Sequence, residues 1–478
     1  MTELCILLFL MICLCICLFD LSSGFIVCVI IGMLQDPLRK ILPGQPVYLT
    51  VLVGVMVAAT YCGALFRGTR LSFRPIHAWD STLRTPMKLF FVVVAFQCCN
   101  AYLHATSIVV PIIGLIAYLA PLPALLLAYR YADNEKRIIW FMQVYLILCL
   151  IILSGVYLSV FGFKWEILKS VGKGLTIYTS KGAINLPSGF FRAPEVAAWH
   201  AGAAICFLII FTTATRNEFV RWGSPFLLAL LLGVILFTGR RKMFLEIAMF
   251  IPLYALLIAW FRKGSMKLAI PLGLLCLIAI GGYFADFFSD DTVDVIRPYI
   301  ERTEKLKETG VVNRLLDMSV NSFKWVVLKN GFLGSGAGMG SQGAQHFGAG
   351  RSATGSASEG GAAKILAEMG VPGLLIFVWF LFRVLIYLYR IMLYVKQLPS
   401  DTGNLVYGFI AFLGANFVVF ITASQIYGDV FVLLIIGWLL GFILAVPRMV
   451  SVPLPVRRHH RQWGEGKLVN PLPREGEA

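Results

Sequence analysis

The chain consists of apolar runs of bilayer-spanning length, interrupted by one long polar stretch. A membrane-spanning helix needs about 20 predominantly apolar residues, and about twelve runs approach that length. Only 14% of the 478 residues are charged, whereas soluble domains average about 25%. The sequence therefore predicts an all-α fold, a polytopic membrane helix bundle with about 12 transmembrane helices.

The predicted spans lie on both sides of the polar stretch. The first is too long for one simple helix and is expected to break at Asp20. The stretch from 87 to 128 is ambiguous, because its prolines can bend a helix. The predicted spans are 3–34, 46–66, 87–103, 104–128, 138–161, 195–215, 224–238, 243–261, 268–286, 362–389, 404–424 and 430–447.

The polar stretch sets the domain organisation. We divide the chain into N-terminal transmembrane helices (1–285), a large extracytoplasmic loop (286–361), C-terminal transmembrane helices (362–447) and a basic cytoplasmic tail (448–478). Within the loop we predict short helices around 293–308 and 313–330. The second carries an apolar stripe that includes Phe323 and Val327. A loop of this size is where a membrane protein can act on a polar substrate.

Lysine and arginine in the short loops predict the orientation, because cytoplasmic loops are enriched in both. Arg67, Arg130, Arg137 and the tail after Arg448 mark the cytoplasmic side, so the loops at 162–194, 238–242 and 287–361 face outward. The same rule explains most of the net charge of +16, and no nucleic-acid partner is expected. The eleven cysteines have no metal-ligand spacing. They are interpreted as packing residues, and no metal or other cofactor is predicted.

Cations on the predicted outer side need a separate explanation, because membrane insertion does not favour them there. Arg192 precedes one span, and the turn Thr238-Gly-Arg-Arg-Lys-Met243 contains Arg240 and Arg241. An anionic ligand is one explanation, since guanidinium groups match phosphate oxygens in bidentate geometry. The alternative is pairing with lipid phosphates or carboxylates, which we favour for the lysines at 164 to 181.

Charged residues inside predicted spans also require partners. A charge at the centre of a membrane helix costs about 2.5–3.5 kcal/mol on insertion scales. Glu195, Glu246 and Arg383 are therefore each expected to face a cavity or a partner. For Glu246, a local ion pair with Lys242, one helical turn earlier, is the simplest interpretation.

Several segments form an ordered pattern between Ser188 and Gly373. They are Ser188-Gly-Phe-Phe-Arg-Ala-Pro-Glu-Val-Ala-Ala-Trp-His200, Thr238-Gly-Arg-Arg-Lys242, Asn313-Arg-Leu-Leu followed by Trp325-Val-Val-Leu-Lys-Asn-Gly-Phe-Leu-Gly-Ser-Gly-Ala-Gly338, and Glu368-Met-Gly-Val-Pro-Gly373. Taken together they resemble motifs of the O-antigen ligase and Wzy-type polysaccharide polymerase superfamily of bacterial membrane proteins. The motifs cover about 185–375, and elsewhere the resemblance is one of hydropathy.

The chain departs from that family's pattern at one position. Where the family has His-Asn, this chain has Ala357-Ser-Glu-Gly360, which indicates a divergent polymerase branch. The run from Gly334 to Gly340 lacks the Gly-Lys-Ser/Thr ending of a phosphate-binding loop. It is interpreted instead as a flexible loop or linker.

The resemblance implies glycosyl transfer at the outer face of the bacterial cytoplasmic membrane. The donor would be a glycan on undecaprenyl diphosphate, and the acceptor a hydroxyl of a second lipid-linked repeat unit. Arg192, Arg240 and Arg241 would stabilise the leaving diphosphate without a metal, and Arg314 would bind the diphosphate or the sugar. Glu359 is the first candidate for the base and His346 the second. Glu368 is interpreted as structural, holding the end of the loop.

Other functions remain open from the sequence. The glycan could pass to another acceptor, as in a ligase. A transporter or flippase for a lipid-linked glycan is disfavoured, because the polar mass lies on one side and no inverted pair of broken helices is found. A non-catalytic partner in polysaccharide export is a further alternative. A polymerase of this kind would contact membrane lipid and could require a chain-length regulator or export proteins.

Overall fold

The computed structural model describes residues 2–105, 107–171, 176–179, 182–215, 218–240, 242–261, 322–341, 360–398 and 400–449. The predicted span at 268–286, the predicted helix at 293–308 and the basic tail lie outside these described residues. Of the predicted helix at 313–330, the structure describes the part from Ser322 onward.

The described residues form fifteen α-helices and one β-hairpin. In chain order they are α1 (Thr2–Phe19), α2 (Leu21–Ile41), α3 (Leu52–Phe66), α4 (Arg74–Trp79), α5 (Arg84–His104), α6 (Val109–Leu119), α7 (Pro121–Tyr131), α8 (Glu135–Val160), β1 (Thr176–Thr179), β2 (Gly182–Asn185), α9 (Pro194–Ala214), α10 (Glu218–Phe237), α11 (Lys242–Phe261), α12 (Ser322–Asn330), α13 (Gly361–Val395), α14 (Ser400–Thr422) and α15 (Val430–Met449).

The chain is a multi-pass helical membrane protein. Ten described helical segments are long and apolar enough to cross a membrane, and two further apolar helices, Glu3–Phe19 and Trp222–Phe237, are shorter. The prediction of an all-α bundle did not include the antiparallel hairpin, in which Thr176 pairs with Asn185 and Thr179 with Gly182. The helical architecture is confirmed, and the predicted span at 268–286 is not among the described residues.

The predicted break at Asp20 is confirmed. Asp20 is the N-cap of α2, and its carboxylate accepts a hydrogen bond of 2.7 Å from the amide of Ser23. This hydrogen bond holds the pKa of Asp20 below its ordinary value. The region from 3 to 34 is therefore divided between α1 and α2, because a capped helix start is more favourable than a carboxylate inside one long apolar helix.

Two sets of contacts define the opposite ends of the bundle. Asp36, near the end of α2, and Asp429, just before α15, both bind Arg192, and we call this the Arg192 end. At the other end of α15, Arg448 donates to the carbonyls of Tyr129 and Ala132 at the end of α7. We call this the Arg448 end.

Loops that were predicted to share the cytoplasmic side meet at the Arg448 end. Asp133 pairs with both Arg448, at 3.1 Å, and Arg137, at 2.7 Å. Glu135, at the start of α8, accepts a hydrogen bond of 2.5 Å from Thr402 at the start of α14. The cation of Arg448 therefore lies at the carbonyl end of α7, where the helix dipole favours positive charge.

The core of the bundle surrounds α9. In the most apolar stretch of α9, 83% of the residues are buried, whereas in the corresponding stretch of α11 only 33% are buried. Small residues account for this, because alanine and glycine let neighbouring helices approach closely. A Cβ added at Gly202 would lie 2.7 Å from Oε2 of Glu246 on α11. The helix that carries the first motif is thus the one most enclosed by the others.

Candidate functional site

The sequence-predicted site residues divide into those the structure describes and those it does not. Arg192 and Arg240 are described, and both lie near the start of α9. The other predicted residues lie outside the described residues: Arg241, Arg314, His346 and Glu359. The site is therefore built here from the two arginines and the elements that position them.

Arg192 is held by two carboxylates. Its backbone amide and its Nη1 donate to Asp36 at 3.1 and 3.2 Å, and its Nη2 donates to Asp429 at 2.5 Å. Asp429 also caps α15, because its Oδ1 accepts from the amides of Phe431 and Val432. Burial opposes the charge of Arg192, but Asp429 and Asp36 outweigh it and raise the pKa of Arg192 above its ordinary value.

Lys40 ties the same loop to α2. Its Nζ donates to the carbonyl of Gly189 at 2.7 Å and to Oγ of Ser188 at 3.3 Å. Lys40 and Asp36 are 5% and 2% exposed, so both are nearly excluded from solvent, while the Arg192 side chain is 20% exposed. The first motif is therefore fixed at the junction of α2, α9 and α15, and Arg192 acts there as a cross-link between Asp36 and Asp429.

Arg240 pairs with a carboxylate that is more exposed than those at Arg192. It forms an ion pair of 2.5 Å with Glu195 in the first turn of α9, and the two side chains are 20% and 27% exposed. Gly239, with φ +65°, makes the tight turn after α10 that places Arg240 just before α11. Arg240 is therefore the partner of Glu195, for which the sequence predicted a cavity or a partner. Glu195 is 27% exposed whereas Asp36 and Asp429 are each 3% exposed, so an anion can exchange with the carboxylate more readily here than at Arg192.

Lys242 continues the cationic turn toward α14. Its Nζ donates to the carbonyl of Thr422, the last residue of α14, at 3.2 Å, and its side chain is exposed. The carbonyls at a helix C-terminus carry partial negative charge, which favours a cation there. Arg240 and Lys242 thus lie between the start of α9 and the end of α14, all at the Arg192 end.

A cluster of buried polar side chains lies between α9, α11 and α14. Asn416 on α14 donates to Oε1 of Glu246 at 2.9 Å, and its own oxygen accepts from Trp199 and Tyr427 at 2.9 and 3.0 Å. Glu246 is fully buried, and its Oε2 has no hydrogen-bond partner among the described residues. The local ion pair expected between Glu246 and Lys242 is wrong, since Asn416 takes that place.

The segment 331–341, called the glycine loop here, is packed into the bundle. Oε2 of Glu368 accepts from the Gly338 amide at 3.1 Å, and Oε1 accepts from the Gly340 amide at 3.0 Å. Tyr118 on α6 donates a further hydrogen bond of 2.7 Å to Glu368. The structural interpretation of Glu368 is confirmed. The flexible-loop interpretation of this run is wrong, because Ala337 and Gly338 are buried.

Glycine is required where the loop meets the helices. Gly370 has φ +68° and ψ −175°, which kinks α13 directly after Glu368. Gly338 has φ +88°, and a Cβ there would lie 2.3 Å from the Val110 carbonyl oxygen. The side chain of Gln97 on α5 donates to the carbonyls of Leu333 and Met369. Small residues therefore let loop backbone and helix backbone approach to hydrogen-bonding distance.

Sequence reasoning missed several members of these networks. Asp36, Lys40, Asp429 and Asn416 are polar residues that are nearly excluded from solvent. A signal existed for them, because an ionisable residue within an apolar run needs a partner. Asp36, for example, binds Arg192, which lies 156 residues further along the chain. No local spacing encodes such a pairing.

Neither a metal centre nor a known relative directs the interpretation of this site. Among the described residues, no group of three or more His, Cys, Asp or Glu side chains could hold a metal ion. No protein-family model matches the chain, and no curated protein matches it.

Proposed function

We propose that this protein polymerises lipid-linked oligosaccharide repeat units into a surface polysaccharide or exopolysaccharide. The observation that carries the proposal is the Arg240–Glu195 pair, whose carboxylate is 27% exposed, beside the exposed Lys242 at the Arg192 end. The glycine loop, which lies within the long polar stretch of the sequence, and the described start of α13, which follows that stretch, are packed on the same bundle. Membrane-embedded helices with cations at one end suit a substrate that joins an apolar chain to a phosphate.

The proposed reaction needs two groups. An acceptor hydroxyl attacks the anomeric carbon of the donor, the bond from that carbon to the diphosphate oxygen breaks, and undecaprenyl diphosphate leaves. Arg240, with Arg241 and Arg314 as further candidates, stabilises the charge on the departing diphosphate. Glu359 takes the proton of the hydroxyl, with His346 as the second candidate. No Asp-x-Asp pair occurs in the sequence to suggest a metal-dependent sugar transferase.

Arg192 has a positioning role in this proposal. Its guanidinium already binds Asp36 and Asp429, which are each 3% exposed, so a diphosphate would have to displace two nearly buried carboxylates. Such exchange would leave both carboxylates unpaired, which costs several kcal/mol. Arg192 instead fixes the loop that leads to Glu195, and Glu195 orients Arg240.

The orientation and the cell membrane are part of the proposal. We place the Arg192 end at the outer face of the bacterial cytoplasmic membrane, because Arg137 and Arg448, which belong to loops that the positive-inside rule assigns to the cytoplasm, lie at the Arg448 end. The glycan on undecaprenyl diphosphate would be the ligand there. Membrane lipid, a chain-length regulator and export proteins are the proposed partners.

The test is elongation by purified protein in nanodiscs supplied with undecaprenyl-diphosphate repeat units. We expect polymer from the wild type and a loss of roughly 100-fold or more in rate for Arg240→Ala, the size found when one transition-state donor is removed. Glu359→Gln is expected to lose at least roughly 100-fold, as for a general base. Arg137→Ala, which removes an arginine–carboxylate pair at the opposite end, is the matched control and should retain activity.

Each alternative outcome would assign a different function to the protein or a different role to a residue. Full activity of Arg240→Ala would contradict the assigned diphosphate site. Full activity of Glu359→Gln would transfer the role of base to His346. Transfer of an unextended glycan to another acceptor would identify a ligase, and folded protein that moves the lipid across the bilayer without elongation would identify a flippase.

A further inference from the structure

Arg383 is a charged residue inside the membrane-spanning helix α13. Its neighbours Phe382 and Leu385 are 57% and 54% exposed, as expected where a helix faces lipid. The Nε atom of Arg383 is buried and has no hydrogen-bond partner among the described residues, and none of their carboxylates pairs with this side chain. A charge in a membrane helix is costly unless it has a partner. The sequence predicted a cavity or a partner for Arg383, and no described side chain takes that role.

The end of α13 that follows Arg383 lies at the Arg448 end of the bundle. Tyr407, near the start of α14, donates to the carbonyl of Met392 at 3.3 Å, and α14 begins beside Glu135 at that end. Arg383 precedes Met392 by nine residues, which is about 13 Å along a helix axis. A long arginine side chain a few turns from a helix end extends its guanidinium toward the lipid headgroups.

Arg390 lies on the same flank of α13 as Arg383, because seven residues make nearly two full helical turns. Nη1 of Arg390 donates to Oδ2 of Asp80 at 2.6 Å, and the side chains of Arg390 and Asp80 are 50% and 3% exposed. Oδ1 of Asp80 accepts from the amide and the hydroxyl of Thr82, so this carboxylate is fixed at the turn before α5. A guanidinium has five N–H donors, and most of those of Arg390 remain available for a second anion.

The start of α5 adds further positive charge beside these arginines. Phe90 of α5 stacks on Phe380 of α13, with 5.5 Å between the ring centroids, so the two helices are packed together here. Arg84 and Lys88, in the first turns of α5, are exposed. Asp80 is the only acidic residue within 77–90 and 379–392. The cations of these two segments therefore exceed their single carboxylate, and the excess charge attracts an anion.

We propose that Arg383 and Arg390 bind the phosphate of an anionic phospholipid in the leaflet at the Arg448 end. An acyl chain of this lipid packs along exposed apolar side chains of α13, among them Phe382 and Leu385. The phosphate receives charge-assisted hydrogen bonds from both guanidinium groups, as in basic pockets between membrane helices. A zwitterionic lipid is a poorer match, because its ammonium group is repelled by the same cations. The site lies at the opposite end from the Arg240–Glu195 pair and does not depend on the proposed polymerase activity.

The test is thermal unfolding of the full-length protein in detergent micelles, titrated with phosphatidylglycerol or with phosphatidylcholine. A ligand that binds only the folded protein raises the Tm. We expect phosphatidylglycerol to raise the Tm of the wild type more than phosphatidylcholine does at the same concentration. Arg383→Leu should weaken the apparent binding of phosphatidylglycerol at least roughly tenfold, as for one charge-assisted hydrogen bond. Arg383→Lys keeps the charge and should retain most of the effect.

The variants have matched controls. Arg137→Gln changes an arginine at the same end that is paired with Asp133, and it should keep the response to phosphatidylglycerol. Leucine suits an apolar helix, so Arg383→Leu is expected to fold and, without added lipid, to unfold at a temperature no lower than that of the wild type. Native mass spectrometry of the same samples should show that Arg383→Leu retains one phosphatidylglycerol molecule fewer than the wild type.

Four results would overturn the proposal. Equal stabilisation by phosphatidylcholine would show a general lipid contact, and an undiminished response in Arg383→Leu would exclude this arginine from the site. An equal loss in Arg137→Gln would show only a general attraction to a basic surface. Stabilisation by inorganic phosphate at the same concentration as the lipid would identify a soluble anion as the ligand. Because this assay needs no turnover, its outcome is independent of the elongation test.

Discussion

Two glutamates, both fully buried in the bundle, have opposite environments. Glu368 accepts three hydrogen bonds, from the Gly338 and Gly340 amides and from Tyr118. Glu246 accepts one, from Asn416, and its second oxygen has no partner among the described residues. A carboxylate that receives several donors is accommodated as an anion, whereas a buried one with a single donor is better accommodated with a proton. Burial alone therefore does not identify the role of an acidic residue in a membrane protein.

The largest expected effect is that of Glu368→Ala. The substitution leaves two amides and one hydroxyl buried without an acceptor, and each such group costs about 1–3 kcal/mol. We expect a loss of at least about 3 kcal/mol in the free energy of unfolding, measured by titration with SDS in mixed micelles. Glu166→Ala, at an exposed glutamate, is the control and should change little. A small loss for Glu368→Ala would mean that the glycine loop is not held by this side chain.

Glu368→Gln should have an intermediate effect. Glutamine keeps one acceptor oxygen, but its NH₂ group would face an N–H or O–H donor at the other position. We expect a loss of about 1–3 kcal/mol in the same titration. Stability equal to that of the wild type would indicate that Glu368 already carries a proton, and the contrast with Glu246 would disappear.

The glycines beside the two carboxyl groups provide a third test. A Cβ at Gly340 would lie 2.9 Å from Oε1 of Glu368, and one at Gly202 would lie 2.7 Å from Oε2 of Glu246. Glu368 is fixed by three donors and cannot move away, so Gly340→Ala should cost about 1–3 kcal/mol. At Gly202 the less constrained carboxyl group can shift, and the gain in helix propensity offsets part of the cost. A larger loss for Gly202→Ala than for Gly340→Ala would reverse the comparison.

The smallest effect is expected for Glu246→Gln. If Glu246 carries a proton, glutamine reproduces its shape and neutrality, and Asn416 can still donate to the remaining oxygen. We expect a change of about 0.5 kcal/mol or less. A loss comparable to that of Glu368→Gln, or the disappearance of an unprotonated carboxylate band in the infrared difference spectrum, would show that Glu246 is an anion.

How far the sequence predicts the molecule depends on whether a signal is local. The break at Asp20 was predictable, because a capping residue and an over-long apolar run are adjacent in the chain. The role of Glu368 was predictable for the same reason, since Gly370 follows it within one turn. Local spacing was misleading for Glu246, where a lysine one turn away suggested a pair that the structure replaces with Asn416.

The sequence did not predict the pairings between distant segments. Gln97 and Tyr118 bind the glycine loop and Glu368 across more than two hundred residues, and nothing in their own segments indicates those partners. The packing of the glycine loop was missed because glycine-rich composition is typical both of linkers and of backbone that approaches other backbone closely. Composition predicted the fold class, but contacts between distant segments decide which residues form a site.

The position of the glycine loop has a consequence for how the protein is made. Gln97 and Leu333, which hydrogen-bond in the finished bundle, are 236 positions apart in the chain. At about 5–20 residues per second, a ribosome needs on the order of tens of seconds to synthesise the intervening segment. During that interval α5 and α6 reside in the membrane with Gln97, Asn100 and Tyr118 lacking their final partners. The insertion machinery, other helices or water must satisfy these groups until α13 emerges, so assembly of this part of the bundle is completed late in biosynthesis.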